Sequence, residues 1–316
     1  MMKRIAVLGA LVVSGLAAVG VTAQGLPGIT EIEQVNGNVY KIWGAGGNTT
    51  VFVRENDVVL IDTKLPNSGE AILAEVRKVT DLPIGMIINT HSHPDHMGSN
   101  NELSGDSVEV VAHLNSKNRM EAEGGPFGVS EVDTAFSTFM EIGEGDDRIE
   151  LYHFGAGHTD GDAFVVFPND RTMAAGDIYA WHMSPLIDPG SGGSMLALPT
   201  TLTAAYYGID GVDHVIQGHG DVSSWEEFGS FVQFNRALVQ TAEQTLQFGG
   251  DERAALDALD DNPGWAIFLG TEVKPGLEYG GSPKSRALIN IMVAFAELRG
   301  EEAPLIMGLP REEWPE

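Results

Sequence analysis

Between Asn89 and Gly98 the chain reads Asn89-Thr90-His91-Ser92-His93-Pro94-Asp95-His96-Met97-Gly98, which sets three imidazoles and one carboxylate inside six positions. Neutral imidazole and carboxylate are ligands that suit zinc and similar cations. The plain alternative is a histidine-rich surface loop, but it leaves unexplained why three of the chain's nine histidines crowd there. Ahead of them the apolar run Ile84-Gly85-Met86-Ile87-Ile88, introduced by Leu82-Pro83, reads as a buried strand. Side chains alternate along an extended chain, so His91 and His93 fall on one side until Pro94 forces a turn. Asp95 and His96 then point elsewhere. One short loop can therefore offer two ligands to one ion and two to a neighbouring ion.

The pattern H-x-H-x-D-H behind a strand resembles the signature of the metallo-β-lactamase superfamily, and three further blocks stand in that family's order. His158 lies in Gly155-Ala156-Gly157-His158-Thr159-Asp160-Gly161-Asp162, Asp177 in Ala175-Gly176-Asp177-Ile178-Tyr179, and His219 in Gln217-Gly218-His219-Gly220. At the usual size of such a domain the resemblance covers roughly residues 35 to 235. It implies an α/β fold, an αββα sandwich of two mixed sheets flanked by helices. It also implies a ligand set: His91, His93 and His158 for one ion, Asp95, His96 and His219 for the other, with Asp177 bridging. The implied cofactor is two Zn2+, with iron or manganese as alternative metals. Water shared between two such cations loses a proton near neutral pH, since one bound zinc alone brings water to a pKa of about 7. The bridging hydroxide is then the nucleophile on a carbonyl, and family analogy gives Asp95 the catalytic role of orienting it and passing its proton onward.

Asp177 departs from the β-lactamases of that superfamily, which typically carry Cys or Ser there, and the Cys subclass commonly has a Lys three residues later, where this chain has Ala180. The resemblance therefore points to the broad hydrolase branch that acts on lactones, esters and thioesters, with β-lactam amides as a lesser substrate. A β-lactamase proper is one alternative. A mononuclear non-haem iron oxidoreductase of the same fold is another, although flavodiiron relatives usually carry Glu at the position of Ser92. A third is a metal-containing binding protein without turnover, against which seven potential ligands and a shared acid leave open coordination positions.

Other polar residues weigh less. Tyr179, Trp181 and His182 follow the bridging acid closely and are candidates to line the substrate pocket. Ser184, Ser191 and Ser194, in the Pro-, Gly- and Ser-rich tract from Trp181 to Ser194, are candidate contacts for a substrate carboxylate from a loop over the site. His113, His153 and His214 stand in strand contexts and read as structural histidines. Asp62, at the end of a strand, reads equally as an acid buried behind the metal loop or as a turn residue.

Composition sets the partners. The formal charge is -27, and phosphate binding needs Lys and Arg, so nucleic acid is excluded as a natural partner and a small-molecule substrate is expected. Lys3 and Arg4 precede an apolar run from Ile5 to Val21, and Val21-Thr22-Ala23 has the small residues a signal peptidase reads. Residues 1–23 are expected to be a removable signal peptide, with an uncleaved anchor as the alternative, which implies a periplasmic or secreted protein without a stable membrane anchor. The absence of cysteine means that no disulfide supports it there.

The elements that must position these residues follow from periodicity. Strands are expected from Ile32 to Trp43 on the alternation around Val39–Ile42, over Thr50–Val53 and Val58–Ile61 as a hairpin, and over Val108–Ala112, Phe139–Ile142, Ile149–Phe154, Ala163–Phe167, Thr172–Ala175 and Val215–Gln217. A helix capped by Asn67 or Ser68 is expected to run through Val79 with Ala71, Ile72 and Val76 on its apolar stripe, and another to run from beyond His113 to Met120. The cluster Gly124-Gly125-Pro126-Phe127-Gly128 is expected to form a loop near the site mouth. Further helices are expected at Thr200–Tyr207, Trp225–Phe248, Glu252–Leu259 and Ser285–Leu298. The catalytic domain is thus residues 24–248, and residues 249–316 are a helical extension packed on it. Export with processing should yield a mature chain beginning at Gln24, which intact-mass measurement of the exported protein checks; an unprocessed N-terminus would contradict it.

Overall fold

The computed structural model describes residues 28–105, 107–122, 131–270 and 282–305. The signal-like segment and the Gly124–Gly128 cluster lie outside the described residues. Among those described, no helix is long and apolar enough to cross a membrane.

Seven strands form the first sheet in sequence order: β1 (Glu33–Asn36), β2 (Val39–Ile42), β3 (Thr49–Val53), β4 (Val58–Ile61), β5 (Ile84–Asn89), β6 (Glu109–His113) and β7 (Thr134–Phe136). β1 to β4 run antiparallel, whereas β4 to β7 run parallel. The parallel part is built by crossovers, with α1 (Gly69–Val76) between β4 and β5 and α4 (Leu114–Ala122) between β6 and β7. The second sheet holds β8 (Phe139–Ile142), β9 (Ile149–Tyr152), β10 (Phe164–Phe167), β11 (Thr172–Gly176), β12 (His214–Gln217) and β13 (Val222–Ser224). Only its β11–β12 pair is parallel, joined through α5 (Leu198–Gly208).

The alternation of side chains divides the core into layers. Val59 and Ile61 of β4, Met86 and Ile88 of β5, Val165 and Phe167 of β10 and Ile216 of β12 meet between the sheets. Their neighbours Val58, Leu60 and Ile87 face Ile72 and Val76 of α1 on one outer face. Phe164, Val166, Met173 and Val215 face helices on the other. Both faces of each sheet are covered, which is why the central strands read as continuous apolar runs. The architecture is helix, sheet, sheet, helix, as expected.

The outer helical layer over the second sheet contains α5, α6 (Trp225–Gln247), α7 (Glu252–Asp260), α8 (Ala266–Leu269) and α9 (Pro283–Arg299). Ser224 and Glu227 close a capping box that starts α6. Leu256 and Leu259 of α7 and Ala287, Ile291 and Phe295 of α9 share one buried cluster with Phe231, Phe234 and Leu238 of α6.

Two local expectations need correction. Val39–Ile42 is a strand as expected, but the stretch from Ile32 to Trp43 is a hairpin of β1 and β2 and not one strand. Helix α1 stops at Val76, leaving Val79 and Ala71 exposed, and Ser68 makes no side-chain cap. A carboxylate from outside the helix takes that role: Glu102 accepts from Asn67 N at 2.6 Å and Gly69 N at 3.0 Å.

Phe234 is fully buried and stacks on Phe268 of α8 with centroids 4.7 Å apart. Phe234→Ala should lower the unfolding free energy by about 3–5 kcal/mol in urea melts. It should keep a single transition, and separate early melting of the C-terminal helices would contradict the shared core.

Candidate metal centre

β4 and β5 end side by side in parallel, and their ends carry the frame of the site. Asp62, one residue past β4, is 2% exposed and adopts a left-handed backbone with φ 62°. Its carboxylate accepts from Thr90 N at 2.8 Å, from Thr90 Oγ1 at 2.7 Å and from His96 Nδ1 at 2.7 Å. Of the two readings of Asp62, the buried one holds. Pro94 opens the single-turn helix α2 (Pro94–Met97), which carries Asp95 and His96 and leaves the His96 ring against that of His91, with centroids 4.2 Å apart.

The seven sequence-derived residues come together. His91 Nε2 lies 3.1 Å from His93 Nδ1, and His158 Nε2 lies 2.9 Å from the same atom. His96 Nε2 and His219 Nε2 are 3.3 Å apart, and Asp95 Oδ2 is 3.2 Å from His219 Nε2. Asp177 Oδ1 faces His96 Nε2 at 3.2 Å and His219 Nε2 at 3.4 Å, without hydrogen-bond geometry to either. Among the described residues three groups of potential ligand atoms result: His91 with His93 and His158, Asp95 with His96 and His219, and, joining the two, Asp62 with His91 and His96.

The outward nitrogens fix the inward ones. Thr90 Oγ1 gives its proton to Asp62, so it accepts from His91 Nδ1 at 3.0 Å. His93 Nε2 donates to Asp188 at 2.9 Å, His158 Nδ1 to the Leu186 carbonyl, and His96 Nδ1 to Asp62. With a proton held on the far nitrogen, each of these four imidazoles in its neutral form turns the lone pair of its inner nitrogen toward the others. Lone pairs about 3 Å apart repel unless a cation sits among them. Nitrogens at about 2.0–2.1 Å from a tetrahedral zinc would stand roughly 3.3 Å apart, close to the spacing observed.

Electrostatics points the same way. Burial pushes His91 well below the usual imidazole range and His158 down to about 4, so both stay neutral as ligands must. Burial also opposes charge on His96 and His219, yet the carboxylates of Asp177 and Asp95 hold both above the ordinary value. Against the same burial, the two histidines hold Asp177 and Asp95 below the carboxylate range. The cluster demands positive charge, which protons or divalent cations can supply. Glycines leave room for it: a Cβ at Gly218 would stand 2.0 Å from Asp177 Oδ1, and one at Gly47 2.2 Å from His96 Cε1. The residues present fit a metal pair.

The pocket-lining candidates divide. Tyr179 is fully buried against Phe231, with ring centroids 4.4 Å apart, so it belongs to the core. Trp181 stacks on His219 at 4.1 Å and carries Arg286 of α9 on its ring at 4.6 Å. His182 lines a cleft of about 360 Å³ with Glu227, Trp265 and Phe268 that includes none of the seven. Ser184 bonds to Asn235 and Asn290, and Ser194 donates to Glu297, so both serve the scaffold. His113 and His153 stack at 3.8 Å outside the cluster, each bonded to a backbone carbonyl. Sequence reasoning missed Asp188 and the Leu186 carbonyl, which orient His93 and His158. It also missed Asn48, whose Nδ2 donates to Gln217 O and Gly220 O and so fixes the loop that presents His219.

Residues 42–178 match the model of a family described as the metallo-beta-lactamase superfamily. Among solved structures, the metallo-beta-lactamase from Pontibacter korlensis is similar at 16% identity and a TM-score of 0.58, covering 66% of this chain and 99% of its own. TMB-1 is similar at 19% identity and a TM-score of 0.55, over 66% and 98%. The stereoselective inverting sec-alkylsulfatase Pisa1 from Pseudomonas sp. matches at 15% identity and a TM-score of 0.70, over 86% of this chain and 51% of its own. At these identities the likeness is one of fold.

Elemental analysis of purified variants checks the cluster. His93→Ala should lower bound metal by about one ion per chain, whereas His153→Ala should leave it unchanged. Asp62→Ala, which frees His96, should weaken metal binding about 10- to 100-fold. Equal metal loss from His93→Ala and His153→Ala would contradict the assignment.

Proposed function

We propose that the chain, whose residues 42–178 match the model of the metallo-β-lactamase superfamily, is an exported, dinuclear zinc hydrolase that opens a carbonyl substrate. The observation that carries this reading is the convergence of His91, His93, Asp95, His96, His158, Asp177 and His219, with far-side acceptors that free the inner nitrogens of His91, His93, His96 and His158. His91, His93 and His158 would hold one ion, and Asp95, His96 and His219 the other, with Asp177 between them. Two bound cations supply the Lewis acidity that activates water and polarises a lactone, ester, thioester or amide carbonyl.

The protein's own part is positioning and proton handling. Asp62, Asp188 and the Leu186 carbonyl keep His96, His93 and His158 in the binding tautomer. The Asp95 side chain is 32% exposed, unlike the enclosed imidazoles beside it, so it can take a proton from attacking water and pass it outward. Trp181 excludes water from the face of His219 on which it stacks. The expected address, periplasmic or secreted, rests on residues 1–23.

A second reading, hydrolysis of a sulfate ester, is favoured by one observation. The alkylsulfatase match extends over 86% of this chain, against 66% for the β-lactamase.

Zinc-reconstituted protein should turn over at least one member of a panel of lactone, thioester, phosphoester, β-lactam and alkyl sulfate substrates. Activity should vanish with a chelator and return with Zn2+. Asp95→Asn should lower kcat by about 10²- to 10⁴-fold. Turnover of the alkyl sulfate alone would replace the first reading with the second, and an inactive, fully zinc-loaded protein would sink both.

A further inference from the structure

Helix α9 contributes none of the seven residues, yet it grips the loop that supports them at two points. Asn290 is fully buried. Its Nδ2 donates to Ser184 Oγ at 2.6 Å and to Pro185 O at 2.5 Å, and its Oδ1 accepts from Ile187 N at 3.4 Å. Two turns later, Glu297 accepts from Ser194 Oγ, Met195 N and Leu196 N at 3.1, 3.2 and 2.9 Å. The span between these grips carries the Leu186 carbonyl and Asp188, the acceptors for His158 and His93. Asp188 N returns a bond to His158 O at 2.8 Å.

Asn290 thus bonds to the residues immediately flanking Leu186 on both sides. A buried amide that lost these bonds would carry its desolvation penalty uncompensated, so the arrangement resists slippage of the loop. The loop in turn decides where the Leu186 carbonyl points. That carbonyl keeps the His158 proton on Nδ1 and the lone pair of Nε2 inward.

We infer that Asn290 is a positioning residue for the three-histidine metal site, acting through the Leu186 carbonyl on His158. The inference rests on the proposed ligand set. Truncating Asn290 leaves His158 in place and loosens its acceptor. The ion held by His91, His93 and His158 weakens, while the ion at Asp95, His96 and His219 keeps its supports, Asp62 and Trp181.

The test is a titration of metal-free full-length protein with Zn2+ against a chromophoric chelator, repeated with Co2+ to follow the ligand-field spectrum. Asn290→Ala should weaken one of two zinc affinities about 10- to 100-fold, leave the other within about twofold and change the Co2+ spectrum of the weakened site. The milder Ser184→Ala should act in the same direction with a smaller effect and a melting temperature near that of the parent chain. In a His158→Ala background, Asn290→Ala should add less than about threefold, because the carbonyl it aims has lost its imidazole. Unchanged affinities, equal weakening of both sites, or an undiminished effect in the His158→Ala background would overturn the inference. A parent protein that binds no zinc would overturn the ligand set itself, a distinguishable failure.

Discussion

The structure depends on an arrangement that is unfavourable by itself: bare imidazole nitrogens brought to within about 3 Å of one another. For His91, His93, His96 and His158 an oxygen on the far side of the ring can hold the proton and leave the inner nitrogen bare. Like lone pairs and buried carboxylates held this close are tolerated only if positive charge is shared among them. Cation binding is therefore tied to the supports as closely as to the ligands. Loss of a far-side oxygen frees a ring to turn its proton inward.

Two sheets and their loops divide this work. The parallel ends of β4 and β5 lie side by side, so Asp62 can hold both the backbone of Thr90 and the ring of His96. The second sheet delivers His158, Asp177 and His219 from loops beyond β9, β11 and β12. Side chains on strand ends are fixed by a sheet packed on both faces yet stay at its edge. The C-terminal helices share the core of the second sheet and hold the loop that supports the histidines, through Asn290 and Glu297.

The cluster of seven side chains was legible because its chemistry lies in residues grouped in short blocks, and the strands because their apolar runs are short and bounded. The supports were not. Asp188 reaches His93 from 95 residues away in an irregular loop, and no spacing rule connects the two. A carbonyl such as that of Leu186 has no residue-type signature at all, since every residue carries one. Tyr179 looked like a pocket residue because it follows Asp177 by two positions, but the turn after β11 sends its ring into the core. The N-terminus of α1 misled for a similar reason: neither Asn67 nor Ser68 supplies the expected side-chain cap, and Glu102, distant in sequence, accepts from the Asn67 and Gly69 amides there.

The most direct measurement is an anomalous-scattering difference map at the zinc edge from crystals grown with Zn2+. Two peaks about 3.5–4 Å apart are expected, with ligand distances of about 2.0–2.2 Å. One should lie among His91, His93 and His158, the other among Asp95, His96 and His219, with Asp177 reaching toward both. A map without a peak at these residues, or with zinc bound only elsewhere on the acidic surface, would contradict the account.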